Sequence, residues 1–193
     1  MSDAPWRPLW WWFIVHGAII SAWGVFALVT TVPGGAGWVL DGIAFGVMLL
    51  IGGVQLVVQG WSGRRYGPGW PGIFVGGIVP ICFGTAIFVI AATLDATAVF
   101  WTIIAFLFVE GGVFIVGTWP GPVFRFWGLL MGGIVCIAFL VMLVLFWLFG
   151  GDFEILDPAF GALGVLYGMA MIVAAVQARQ AGIERGPGRP LRR

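Results

Sequence analysis

The chain has 193 residues, of which 61% are hydrophobic and 9% charged, and its formal net charge is +1. A soluble domain carries about 25% charged residues, so this composition excludes a soluble fold and leaves no room for a separate soluble catalytic domain. The small net charge gives no argument for a nucleic-acid partner, and none is expected.

Apolar runs of about 20 residues match the hydrocarbon core of a bilayer. They fall near residues 10–30, 41–60, 70–91, 98–117, 127–148 and 158–178. The predicted fold class is all-α: a polytopic membrane bundle of six transmembrane helices. Residues 1–9 are read as an N-terminal cytoplasmic segment, 10–178 as the membrane domain and 179–193 as a basic, disordered cytoplasmic tail. The first run is too long for a signal-peptide core, follows only Arg7 and lacks an A-x-A site, so it reads as a span.

The chain repeats itself. Gly17 aligns with Gly77 and Gly133, and Gly53 with Gly112 and Gly168, which defines three hairpins over about 10–60, 70–117 and 127–178. Two helices per unit make these parallel repeats, related by an axis along the membrane normal, unlike the inverted repeats of many transporters. Small residues recur every seventh position, two turns less about 20°, and so share one helix face. The even helices carry Gly46/Gly53/Gly60, Ala98/Ala105/Gly112 and Gly161/Gly168/Ala175; the odd ones carry Gly17/Gly24, Gly77/Gly84 and Gly133/Leu140. Between helices in lipid, close backbone approach carries association, so these faces are predicted packing surfaces. A valine at Gly53 or Gly112 is expected to loosen the hairpins.

Charge orients the loops. Arg7, Arg64, Arg65, Arg125 and the tail arginines Arg179, Arg185, Arg189, Arg192 and Arg193 fall on one side; Asp41, Asp95, Asp152, Glu154 and Asp157 fall on the other. Excess arginine marks the cytoplasm, which puts both termini there. The five tail arginines would each gain about 1 kcal/mol at an anionic leaflet. Nine arginines without a lysine, with many Gly, Ala and Trp, suggest a GC-rich bacterial genome, and the membrane is read as the bacterial inner membrane. Asp41, Asp95 and Asp157 each stand at or just before an even helix and read first as N-caps, with Pro158 at a first helical position. A cation or proton antenna on the outer face is the other reading. Trp10, Trp11, Trp12, Trp61, Trp70, Trp119 and Trp127 form one interfacial belt and Trp38, Trp101 and Trp147 the other, with Trp23 alone deep.

Three hairpins with G-x6-G helices, the Val32-Pro33-Gly34 break and a tryptophan opening each repeat (Trp10, Trp70, Trp127) resemble the HdeD family of bacterial membrane proteins. The resemblance covers roughly residues 10–178 and departs at Leu140, Pro80 and Glu110. It implies a role in acid resistance or envelope stress tolerance and no enzyme activity.

Strongly polar groups inside spans are His16, Gln55, Gln59 and Glu110. A carboxylate at mid-helix costs about 2.5–3.5 kcal/mol on insertion scales, so Glu110 needs an explanation. Glu110 lies about 10 Å and His16 about 9 Å inside the cytoplasmic edge, at matching depth with Gln55 close to that level. A pairing of His16 with Glu110, joined by Gln55, is therefore expected. Polar glue between helices, a proton or ion site, and snorkelling or a subunit contact are the three readings of this group. Glu110 and Gln55 each point about 160° away from Gly112 and Gly53, toward another neighbour or a second subunit.

No H-E-x-x-H, Walker loop or cysteine ligand pair is present, one histidine cannot supply bis-histidine haem ligation, and Ser21 is the only serine within a span. Cys82 and Cys136 read as packed thiols. No enzyme activity, metal or cofactor is expected. The expected partners are the lipid bilayer and a second copy of the chain or another membrane protein. The role suggested is structural or partner-binding; the alternative is a small channel or transporter for protons or a small solute using Glu110 and His16.

Overall fold

The computed structural model describes residues 10–30, 36–64, 69–120 and 122–184, which form six helices. They are α1 (Trp10–Val29), α2 (Ala36–Gly63), α3 (Trp70–Ala91), α4 (Ala96–Thr118), α5 (Pro122–Leu148) and α6 (Phe153–Glu184). Five of them, α2 to α6, are long and apolar enough to cross a membrane, and α1 adds a shorter apolar stretch, Phe13–Val29. The chain is an all-α, multi-pass integral membrane protein. Valines, leucines, isoleucines and tryptophans that would be misplaced on a soluble surface, such as Val116 and Trp147, are exposed to lipid. Arg7, Arg65, the Val32-Pro33-Gly34 break and Arg185 to Arg193 lie outside the described residues, as do the side chains of Trp10, Trp12, Trp38, Trp127 and Glu154.

Turn chemistry separates the elements. Asp95 is a true N-cap: its side chain accepts from the Ala98 N–H at 3.0 Å. Gly150 and Gly151 take φ of 63° and 81° between α5 and α6, a left-handed pair that few other residues would tolerate. Asp41 and Asp157 are not caps. Helix α2 starts before Asp41 and α6 before Asp157, which puts both carboxyls inside helices, with Pro158 also in the helix interior. The reason is visible in spacing: Asp41 precedes Gly46 by five residues and Asp157 precedes Gly161 by four, whereas Asp95 lies ten before Ala105.

The helices close into a ring in chain order. The most extensive packing joins α2 to α3, α4 to α5 and α6 to α1, with α3 also along α4; α1–α2 and α5–α6 touch only lightly. The glycine faces therefore join one hairpin to the next, and α6 to α1 closes the ring. A Cβ on Gly53 would stand 2.7 Å from the Gly77 carbonyl oxygen, and one on Gly84 2.9 Å from that of Gly46. On the other seam a Cβ on Gly24 would meet the Gly161 oxygen at 2.6 Å, and one on Gly17 the Gly168 oxygen at 2.5 Å. Gly60 lies equally close to the Phe74 backbone. Backbone lies on backbone at these crossings, so any side chain forces the helices apart.

The third seam differs from the expected register. Gly111, not Gly112, meets α5: a Cβ there would stand 2.6 Å from Cys136 Sγ and 3.3 Å from the Gly132 oxygen. Around Gly112 and Gly133 a Cβ would meet nothing within 4 Å. Ala105 and Gly112 are exposed, on the same outward face as Phe108 and Val116. Helix α4 must also serve α3, where Gly72 lies against Gly117, and one residue of register is about 100° of rotation. Cys82 is exposed to lipid and only Cys136 packs at a seam.

Gly53→Val is expected to destabilise by about 1–3 kcal/mol, the usual cost of overpacking, while Gly112→Val stays within a few tenths. Thermal unfolding of the two variants in one detergent checks this; equal losses would contradict the seam assignment.

Candidate functional site in the bundle core

Helix α1 brings His16 to α2, where Gly52 leaves room for the ring. A Cβ at Gly52 would collide with His16 Cε1, so the glycine is there to admit imidazole and not to seat a helix. One turn further, the Gln55 side chain accepts from His16 Nδ1 at 3.3 Å. In that arrangement Nδ1 carries the hydrogen. Gln55 is buried and His16 partly so. Next along α2, Gln59 is 3% exposed and neither of its amide atoms has a hydrogen-bond partner.

Glu110 of α4 is 3% exposed, and its Oε2 is buried with no hydrogen-bond partner. His16 and Glu110 line one cavity of about 80 Å³ at the bundle centre, together with Gly52 and Tyr167. The expected His16–Glu110 pairing is thus replaced by a shared cavity: His16 bonds Gln55, and no direct hydrogen bond or ion pair joins it to Glu110. The volume has room for a few waters, but its lining is mostly apolar, and His16, Glu110 and Tyr167 are the polar groups on it that could hold them. The polar side of α2 and α4 thus faces the interior while the α2 stripe faces α3.

Two features of the site escaped the sequence reading, one a residue and the other the pairing of two aspartates already read as caps or an outer-face antenna. Tyr167 of α6 lines the cavity within electrostatic reach of Glu110, and its hydroxyl donates only weakly, to Met131 Sδ at 3.7 Å. Its position beside Gly168 matches that of Gly52 beside Gly53 and of Glu110 beside Gly111, so alignment of the packed glycines finds it. The second is the pair Asp41 and Asp157, 1% and 2% exposed. Between pair and cavity lies an aromatic layer. Trp23 meets Phe45 at 4.9 Å and Phe160 at 4.8 Å, and Phe45 meets Phe160 at 5.1 Å and Phe106 at 5.8 Å. Pro80 of α3 also lines the cavity.

Among the described residues no cluster of three or more metal-ligating side chains occurs. Comparison with family models, with characterised proteins and with solved structures returns no match.

Gln55→Leu leaves a buried imidazole N–H unpaired and is expected to cost about 1–3 kcal/mol. Thermal unfolding against Gln55→Glu, which keeps an acceptor, checks it: equal loss in both would mean that the hydrogen bond contributes nothing.

Proposed function

We propose that this chain is a non-enzymatic, HdeD-like protein of the bacterial inner membrane, with both termini cytoplasmic, whose core holds and relays protons during acid or envelope stress. The stress setting comes from the family resemblance, and the orientation from the arginine-rich loops. The proton role rests on one observation: Glu110 presents a buried, unpartnered carboxyl oxygen to a largely apolar core cavity that His16 and Tyr167 also line. Intramembrane carboxylates that line cavities belong, by default, to proton or ion paths. His16 and Tyr167 on the same wall supply the neighbouring exchangeable hydrogens, and waters in the cavity would connect them.

A second reading, a structural or partner-binding protein, draws on the His16–Gln55 bond, which is polar glue between α1 and α2, helices that otherwise touch little. The exposed Gly112–Val116 face of α4 is where a second copy or another membrane protein would dock.

Purified protein in sealed liposomes is expected to pass protons across an imposed pH step, and Glu110→Gln to abolish the excess over empty liposomes. Unchanged flux in the variant, or none from folded wild type, would reject the relay and leave the structural reading.

A further inference from the structure

Asp41 and Asp157 stand about one turn before Phe45 and Phe160, whose rings meet at 5.1 Å, so the two carboxyls lie beside each other where α2 and α6 converge. Both residues are almost fully closed to solvent, and Asp41 Oδ2 and Asp157 Oδ1 find no donor among the described residues. Thr30 Oγ1 lies 2.8 Å from Asp41 Oδ1 and 2.8 Å from the Phe26 carbonyl oxygen. A hydroxyl has one hydrogen and can serve only one of these acceptors in full. Whichever acceptor Thr30 serves, the Asp41–Asp157 contact therefore needs a hydrogen that only a carboxyl group can hold. With both ionised, two negative charges would meet in a closed space with no counter-charge among the described residues.

Trp23 of α1 and Thr30 just after it, Val99 of α4 against Gly42, and Asp95, turned to its own helix end, are the described groups around them. Among the described residues no cationic side chain acts on the pair.

The pair is also tied to the aromatic layer. Trp23 Nε1 donates to the Asp41 carbonyl oxygen at 3.3 Å, and Phe45 and Phe160 follow Asp41 and Asp157 by about one turn. Trp23, Phe45 and Phe160 line the cavity that holds Glu110.

We infer that Asp41 and Asp157 are a proton-binding pair that latches this aromatic layer: a shared proton holds the starts of α2 and α6 together and keeps the cavity shut on that side. Loss of the proton sets two carboxylates against each other, separates the helix starts and parts Phe45 from Phe160. The latch deepens the reading of the cavity as a proton site, because it governs access to Glu110. Acid closes it, so that the core holds its proton, and alkali opens it, so that the proton is relayed on.

Infrared difference spectra of the full chain in liposomes, acid against alkaline, test the pair. A protonated-carboxyl band that titrates in wild type, is lost in Asp157→Asn and in Asp41→Asn and is retained in Glu110→Gln is expected. If no titrating band is lost in both aspartate variants, or wild type shows none, the pair is overturned whatever the flux experiment finds. The gate is read by maleimide labelling of Ala138→Cys, a cavity position, with Cys82 and Cys136 replaced by alanine. Asp157→Asn copies the singly protonated pair, so the ratio of labelling rates without and with it cancels the pH dependence of the thiol itself. That ratio should be near one in acid and rise in alkali; a ratio that stays at one overturns the gate.

Discussion

Backbone contact between glycines is the constraint on which the rest of the molecule depends. At the α2–α3 and α6–α1 seams a carbonyl oxygen of one helix occupies the place where a Cβ of the other would be. In lipid, where apolar side chains gain nothing by leaving the solvent, such approach is what van der Waals attraction and weak Cα–H···O contacts can exploit. Because each seam joins an even helix to the odd helix of the next hairpin, the seams make a ring. The α6–α1 seam brings the two ends of the membrane domain together.

The ring sets aside an interior. With the small faces of α2 and α6 used outward, the opposite faces turn inward and carry what the sequence places there: Gln55, Tyr167 and, on α4, Glu110. The layer of Trp23, Phe45 and Phe160 closes one end of that space. Below it lies the cavity that holds Glu110 and above it two aspartates. Burying such groups in apolar surroundings is costly. A chain that needed only packing would place leucine at 110.

The third seam shows how packing demands compete. Helix α4 serves α3 through Gly117 and α5 through Gly111, and the rotation that satisfies both leaves Gly112 facing out. The repeat pattern is periodic in sequence, but each helix settles into one rotation set by all its neighbours. Gly112 and Gly133 have no packing role in the monomer.

Much was legible from residues alone, because lipid imposes a one-dimensional rule. A span must be about 20 apolar residues long and satisfy its own backbone, so the number, type and rough bounds of the helices follow from composition and periodicity. The polar residues within spans, His16, Gln55 and Glu110, were visible for the same reason. Tertiary structure decided which faces meet. Asp41 and Asp157 look like caps when helix starts are judged by hydropathy, since the polar first turns of α2 and α6 resemble loop. Their burial as a pair follows from α2 and α6 converging at one end, a contact between residues 116 positions apart that no local pattern encodes. The same holds for His16, whose partner is set by the space that Gly52 leaves in a neighbouring helix.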